Sequence, residues 1–174
     1  MFIIDGLNIK NLKYVGEGKQ GKVYRIDKHR CLKIYKNKKY LPLELANSKR
    51  ASKKLFPKVY SWGKDFMIRE YVKGIRLDRY LKKNHLTKTI SYQLVGLIKN
   101  FKRFGFKRLD IRLSNIIITP KGRLRPIDPT CAMRYRQLYP KYMLLQLKRL
   151  GLKKHFLKQV KKIDQKLHKN WTQK

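Results

Sequence analysis

Acidic residues are scarce in this sequence: its 174 residues include 10 aspartates and glutamates against 46 lysines and arginines. The resulting formal net charge of +36 excludes an acidic surface. A positive field of this size attracts nucleic acids, anionic membrane surfaces or phosphorylated ligands. We therefore expect binding to RNA or another polyanion, with a merely solvated basic surface as the alternative.

Cysteines and long apolar runs are also few. Cys31 and Cys131 have no metal-ligand spacing and imply no disulfide, so we expect a reducing compartment, the cytoplasm. The opening M-F-I-I-D-G lacks a basic region, which argues against a signal peptide. No run approaches the roughly 20 apolar residues of a membrane span, so none is expected. The 42% of hydrophobic residues suffices for the core of one domain or of two small lobes sharing a cleft.

Polar residues cluster in the stretch 108–130. Short apolar strands are predicted at Ile116–Ile118 and Leu124–Ile127, around a Thr-Pro-Lys-Gly turn. A hairpin of these strands brings Asn115 and Asp128 together at one end. An amide oxygen and a carboxylate are hard ligands suited to Mg²⁺, so this end is a candidate metal site.

Asp110 lies five residues before Asn115, in the loop that leads to the hairpin. We expect it to face the same space, as a base or an orienting group. Any hairpin can carry polar residues at one end, so a purely structural role is the alternative.

A glycine-rich segment occurs near the start of the chain, where Gly16, Gly18 and Gly21 form G-x-G-x-x-G-x-V. Glycines let a backbone approach phosphates and expose its N–H groups to them. A dinucleotide-binding fold requires a helix after this motif. Here strands are predicted instead, at Lys22–Ile26 and again at Cys31–Tyr35.

Lys33 lies within the second of these strands, between Leu32 and Ile34. A helix is predicted next, over about Leu41–Leu55, and Glu44 is its one acidic residue. This lone glutamate is the expected partner of Lys33.

The remaining elements complete a mixed α+β pattern. Strands are predicted at Pro57–Trp62 and Phe66–Tyr71, and a helix capped by Thr87 continues to about Phe104. Three further helices are predicted: a short one after Gly74, and two long ones at about Tyr139–Leu150 and Lys153–Asn170.

Together these motifs resemble the protein-kinase superfamily over about Leu12–Leu150. The D-x-x-x-x-N of Asp110 and Asn115, followed by Asp128, resembles the catalytic loop and metal-binding aspartate. The family's H-R-D reads here as 108–110, its D-F-G reads as Asp-Pro-Thr at 128–130, and R-E-Y-V-K-G resembles the hinge. Arg69 falls where the family usually has an apolar gatekeeper.

An A-P-E segment is missing, and the remaining 46 residues after Asp128 leave no room for a peptide-binding subdomain. The chain is therefore most similar to the smallest atypical kinases, the Rio type and the kinase subunit of the KEOPS complex. This resemblance implies a two-lobed α+β fold, with a five-stranded antiparallel N-terminal lobe at 1–70 and a small helical C-terminal lobe at 71–174.

The resemblance also implies roles for individual residues in an ATP-dependent kinase. Those expected to be catalytic are Asp110, Lys33 and Arg112. Those expected to contact the nucleotide are Gly16, Glu17, Gly18, Gly21, Val23, Lys33, Glu44, Glu70 and Val72. Asn115 and Asp128 are expected to hold Mg²⁺. The implied reaction transfers the γ-phosphate of ATP to a hydroxyl acceptor, on a protein or a small molecule. The alternative is a kinase-like scaffold, a pseudokinase that binds nucleotide or nucleic acid.

Overall fold

The structure is a computed structural model that describes residues 3–51, 55–129 and 136–173. The chain divides into two compact units, Met1–Lys73 and Gly74–Lys174. Within the described ranges, no helix is long and apolar enough to cross a membrane.

The first unit contains a five-stranded antiparallel sheet, as the sequence predicts. A two-stranded hairpin, β1 (Ile3–Ile4) and β2 (Leu7–Asn8), precedes it. The sheet itself comprises β3 (Lys13–Glu17), β4 (Gly21–Arg25), β5 (Arg30–Tyr35), β6 (Val59–Trp62) and β7 (Phe66–Glu70). Their order is β3-β4-β5-β7-β6, so β5 lies at the centre, between β4 and β7. β6 begins at Val59 instead of Pro57 because proline has no N–H to donate to a neighbouring strand.

Helix α1 (Tyr40–Arg50) follows β5 and buries Leu41 together with the polar residues Glu44, Asn47 and Ser48. Leu41 of the helix joins Tyr35 and Met67 of the sheet in a buried cluster. The prediction of a helix to Leu55 is wrong at its C-terminal end, since Ala51 already leaves helical geometry at φ −123°. Residues 52–54 lie outside the described ranges.

The second unit begins with β8 (Ile75–Arg76) and a short helix, α2 (Leu77–Tyr80), followed by α3 (Lys88–Arg103). The Thr87 side chain caps α3 by accepting the Ile90 N–H at 3.2 Å, as predicted. The predicted apolar stripe of α3 is buried, at Ile90, Leu94, Leu97, Ile98 and Phe101. Just after the helix, Gly105 adopts the left-handed φ of 70° that favours glycine.

The predicted hairpin is present as β9 (Ile116–Ile118) and β10 (Leu124–Pro126), which pair antiparallel. β8 adds a third strand on the other side of β9, which the sequence does not predict because the strand has only two residues. Gln93 of α3 supports the hairpin, since its amide donates to Gly122 O at 2.9 Å and accepts from Leu124 N at 2.8 Å.

Three helices complete the second unit: α4 (Lys141–Arg149), α5 (Lys153–Ile163) and α6 (Gln165–Thr172). The single predicted helix Lys153–Asn170 is therefore wrong, because the chain is extended at Asp164 (φ −159°, ψ 99°). The Asp164 carboxylate accepts the Leu167 N–H at 2.9 Å and starts a new helix. Trp171 of α6 then stacks on Phe156 of α5, with ring centroids 6.1 Å apart.

Candidate active site

Lys33 and Glu44 form the ion pair that the sequence predicts. The Lys33 Nζ lies 2.7 Å from the Glu44 Oε2, and their side chains are 2% and 0% exposed. The central position of β5 buries the lysine, while α1 carries the glutamate across the same face of the sheet. Because water is excluded, each charge depends on its partner for stabilisation.

Arg69 adds a second cation to this pair. Its Nη1 lies 2.8 Å from the Glu44 Oε1, so the carboxylate is shared between a lysine and an arginine. In the antiparallel pairing, Lys33 lies opposite Met67, two residues from Arg69 and on the same face of the sheet. The sequence marks Arg69 only as an unusual polar residue at an apolar position, and its contact with Glu44 was not predicted.

The glycine-rich loop joins β3 to β4. Gly18 N donates to Gly21 O at 3.0 Å and closes the turn. A Cβ on Gly21 would lie 1.9 Å from the Ile34 carbonyl oxygen, so the packing of β4 on β5 requires glycine there. At Gly16 and Gly18, by contrast, an added Cβ would meet nothing within 4 Å. Protein packing explains the third glycine but not the first two.

Gln20, within this loop, also reaches the ion pair. Its Oε1 accepts a hydrogen bond from the Lys33 Nζ at 2.9 Å, while its backbone carbonyl accepts from Lys36 N at 2.8 Å. The sequence analysis did not single out Gln20. The available signal was a polar side chain between the second and third glycines.

The other predicted nucleotide contacts lie on the same unit. Glu17 forms an ion pair with Lys36, and this hydrogen bond is the main cause that lowers the pKa of its carboxyl. Val23 on β4 lies directly opposite Lys33 in the sheet. In the hinge-like segment, the Glu70 carbonyl accepts from the Cys31 thiol at 3.7 Å, and Val72 is half-buried.

Asn115 and Asp128 lie at the same end of the hairpin, as predicted. Beyond the last paired residues of the two strands, Ile127 N donates to Asn115 O at 2.8 Å. Asp128, the next residue, is half-buried and has a left-handed φ of 57°. A positive φ is uncommon outside glycine and often marks a functional site. Thr130, the last residue of the D-F-G-like motif, lies outside the described ranges.

These two side chains fit a magnesium ion chemically. A carboxylate and an amide oxygen are hard donors, and Mg²⁺ takes its remaining ligands from water and phosphate. Within the described residues there is no group of three or more His, Cys, Asp or Glu side chains that could hold a metal ion.

Asp110 is directed at helix α4. Its two oxygens accept the Tyr142 N–H at 3.1 and 3.0 Å, and Oδ1 accepts the Met143 N–H at 3.2 Å. Arg108 lies 3.5 Å away, and the Asp110 side chain is 0% exposed. Burial raises the pKa of this carboxyl above its ordinary value, against the lowering effect of the two N–H groups and of Arg108. The carboxylate therefore serves as an N-terminal cap of α4 in this conformation.

Helix α4 holds the loop around Asp110 at further points. The Gln146 Oε1 accepts the Leu113 N–H at 2.8 Å. The guanidinium groups of Arg108 and Arg112 each lie 5.3 Å from the centre of the Tyr142 ring. Sequence reasoning missed Gln146 and Tyr142, because nothing in the pattern of α4 separates them from an ordinary exposed helix face.

Comparison with known proteins adds one relative by sequence. No protein-family model matches this chain. A Bacillus subtilis (strain 168) protein named "Putative serine/threonine-protein kinase YrzF" is 31% identical to it over 81 residues. The match covers 46% of this chain and only 38% of that protein.

Solved structures provide the second comparison. The crystal structure of monomeric WbdD matches with a TM-score of 0.54 and 16% identity, over 64% of this chain and 32% of that one. The co-crystal structure of WbdD with the kinase inhibitor LY294002 gives 0.51 and 15%, over 66% and 31%. Both likenesses concern the fold alone. They support a kinase-like fold.

Proposed function

We propose that this chain is an ATP-dependent phosphotransferase that transfers the γ-phosphoryl group to a hydroxyl acceptor, in the manner of a small atypical serine/threonine protein kinase. The buried Lys33–Glu44 pair, with its 2.7 Å contact, is the observation that carries this proposal. In kinases, a lysine paired in this way binds the ATP phosphates, and the pair must be formed for activity.

Residues of the first unit are assigned to nucleotide binding. Lys33 binds phosphate oxygens, and the backbone N–H groups of the loop at 16–21 donate to them. The open space around Gly16 and Gly18 supports this role, because a phosphate can approach the backbone there. Val23 offers an apolar contact to the base, and the backbone of Glu70 and Val72 offers it hydrogen bonds.

Residues of the second unit are assigned to the metal and the acceptor. Asn115 and Asp128 would hold Mg²⁺, which when bound supplies positive charge that neutralises the ATP phosphates. Asp110 orients the acceptor hydroxyl and takes its proton. At the same time the hydroxyl oxygen bonds to the γ-phosphorus, and the bond between that phosphorus and the ADP oxygen breaks. Arg112 stabilises the charge on the transferring group.

A scaffold without transfer activity is the second candidate. It is favoured by the burial of the Asp110 carboxylate against α4, because an acceptor reaches that oxygen only if the N-terminus of α4 moves. The net charge of +36 then indicates docking on nucleic acid through phosphate contacts.

Labelled ATP decides between the two candidates. The chain is incubated with γ-labelled ATP and Mg²⁺, alone and with cell extract, and the labelled species are identified. We expect label on a protein or small-molecule hydroxyl, and a loss of at least about a hundredfold in Lys33→Met. Lys28→Met, which removes an exposed lysine from the β4–β5 turn, is the matched control and should keep full transfer. If the wild type transfers label neither alone nor with extract, the scaffold is favoured.

Nucleotide binding is measured separately by thermal unfolding. A ligand that binds only the folded chain raises the melting temperature with concentration. Millimolar ATP with Mg²⁺ should therefore raise it in the wild type, and by less in Asp128→Ala. An equal rise in Asp128→Ala would show that the metal assignment is wrong.

A further inference from the structure

Two aromatic side chains are exposed on strand β6. Tyr60 and Trp62 are 43% and 49% exposed, and they alternate with the half-buried Val59 and Ser61. β6 is the last strand in the order β3-β4-β5-β7-β6, so it forms an edge of the sheet. Large apolar side chains that are exposed together, instead of singly, mark interaction sites. The two rings are therefore a candidate binding surface.

Each of these rings has a lysine beside it. The Lys58 Nζ lies 5.1 Å from the centre of the Tyr60 ring, and the Lys49 Nζ lies 4.9 Å from the centre of the Trp62 ring. Lys49 belongs to α1, and Trp62 lies opposite Met67, which packs with this helix. Both lysines are exposed, so their positive charges are available to a ligand that stacks on the rings.

The surroundings of the two rings are basic. In the sequence, the segment 49–64 has five lysines, one arginine and no acidic residue. Two carboxylates contact β6 or its start from other segments: Asp5 Oδ2 accepts from Ser61 Oγ at 3.0 Å, and Glu70 Oε2 accepts from Lys58 N at 3.2 Å. Six cations against these two acids leave an excess of positive charge, which attracts a polyanion.

Aromatic rings beside cations fit one class of polyanion best. A single-stranded nucleic acid has free base faces that stack on protein rings, and its backbone supplies phosphates to nearby lysines. A duplex keeps its bases stacked on one another, so its faces are not available. A lipid bilayer is a poorer fit, because Val59 is the one aliphatic residue of β6 and is half-buried.

We propose that β6 is a binding surface for single-stranded nucleic acid, on which bases stack against Tyr60 and Trp62 while phosphates contact Lys49 and Lys58. Binding has little sequence preference, because every base has a face that can stack. This inference goes beyond phosphotransfer and does not depend on it. It also differs from binding by charge alone, because it requires the two rings.

The first test separates the rings from the charges. Affinity for a labelled oligouridylate of about 12 nucleotides is measured by fluorescence anisotropy over a salt series. Tyr60→Leu and Trp62→Leu leave every charge in place. Each should weaken binding at least about fivefold, while the slope of log K against log salt stays unchanged. Trp62→Phe keeps a ring and should bind within about threefold of the wild type.

The control for this test removes an exposed ring elsewhere. Tyr92 of α3 is 67% exposed, and Tyr92→Leu should bind the oligonucleotide as the wild type does. Melting temperatures of all variants are measured on the same preparations to verify that they are folded. If Tyr60→Leu and Trp62→Leu bind like the wild type, the inference is overturned, and the lysines of β6 serve only to protect a sheet edge.

The second test observes stacking directly and needs no change on β6. The chain has two tryptophans, and Trp171 is 2% exposed and stacked on Phe156. Trp171→Phe therefore leaves Trp62 as the only tryptophan and keeps an aromatic ring in the core. Oligouridylate should quench the emission of Trp62. Inorganic polyphosphate, which carries charge without bases, should not, and an RNA duplex of the same length should quench it less.

Two further outcomes of the fluorescence test would overturn the inference. Unchanged Trp62 emission with oligouridylate, or equal quenching by polyphosphate, would show that bases do not stack on the ring. A response of Trp62 to anionic phospholipid vesicles, without a response to oligouridylate, would assign the surface to membranes instead.

Discussion

At the scale of single residues, the buried carboxylates of the candidate site bind other protein groups. Glu44 binds two cations, and Asp110 binds two backbone N–H groups. Asp110 therefore has two candidate roles, as the base of the transfer reaction and as the cap of α4. A substitution that keeps one role and removes the other distinguishes them.

Asp110→Asn keeps an oxygen that can cap α4 but removes the negative charge. If Asp110 is the base, this variant should bind ATP within a few-fold of the wild type and lose at least about two orders of magnitude in transfer. Asp110→Ala should lose transfer too and, in addition, about 1 kcal/mol of stability, since the cap is gone. Transfer, ATP binding and unfolding are measured on the same preparations.

The pH dependence of stability gives the control for these two variants. Because burial raises the pKa of Asp110, the pH-dependent part of its contribution to stability is present below the unfolded pKa and is lost as the pH rises through the folded pKa, while its hydrogen bonds to α4 remain. Both variants should lack this contribution. If Asp110→Asn transfers phosphate at the wild-type rate, Asp110 acts only as a cap.

At the scale of elements, the glycine loop depends on the packing between β4 and β5. Gly21→Ala places a Cβ against the Ile34 carbonyl, so it should lower the melting temperature and weaken ATP binding together. Gly18→Ala meets no neighbour and should retain the melting temperature. If Gly18→Ala also weakens ATP binding at unchanged stability, the open space there is used by the ligand. A stable Gly21→Ala would contradict the close packing.

The β4–β5 turn contains a carboxylate whose contacts we expect to be acid-sensitive. The Asp27 carboxylate accepts the His29 and Arg30 N–H groups, each at 2.7 Å, and Arg30 Nε at 2.7 Å. These bonds, led by that of His29, lower the pKa of Asp27 to about 2. A lowered pKa gives stability above the unfolded pKa that is lost as the pH falls through the folded one. Asp27→Asn should therefore be less stable than the wild type at neutral pH, with a difference that shrinks towards pH 2.

Much of this arrangement could be predicted from local sequence patterns. The buried stripe of α3, the β9–β10 hairpin and the pairing of Lys33 with Glu44 follow from periodicity, turn residues and a lone acid in a basic chain. These features depend on residues close in sequence, or on a charge that has few alternatives for a partner.

Contacts between distant segments could not be predicted in the same way. Arg69 meets Glu44 only through the antiparallel pairing of β5 with β7, and Asp110 meets α4 across more than 30 residues. The break at Asp164 was missed because the apolar residues of α5 and α6 read as one continuous stripe. The capping hydrogen bond of Asp164 and the stacking of Trp171 on Phe156 favour two helices over one continuous helix.

At the scale of the whole molecule, charge is the dominant feature. The segment 141–172, which contains α4, α5 and α6, has one acidic residue, Asp164 between α5 and α6, and its carboxylate is paired with Lys99 at 2.7 Å. Exposed lysines of α5 and α6 are Lys154, Lys158, Lys161, Lys162, Lys166 and Lys169. Because so few acids are available, most of these cations face solvent and can contact an external polyanion.

We expect single-stranded RNA to bind this basic surface through its phosphates, with little sequence preference. Each released counterion steepens the fall of affinity with salt, by about 0.7 in the slope of log K against log salt per phosphate contact on a single strand. Replacing Lys154, Lys158, Lys161 and Lys162 by glutamine should therefore reduce the slope by up to about 3.

The matched control replaces four exposed lysines of the first unit, Lys13, Lys28, Lys38 and Lys39, and so changes the net charge equally. The slopes are measured by fluorescence anisotropy of a labelled oligonucleotide over a salt series. A larger reduction for the helix variant would assign the surface to α5 and α6, whereas equal reductions would show that the charge acts without a preferred face. Binding that is absent at low salt, or unchanged as salt rises several-fold, would contradict the electrostatic account.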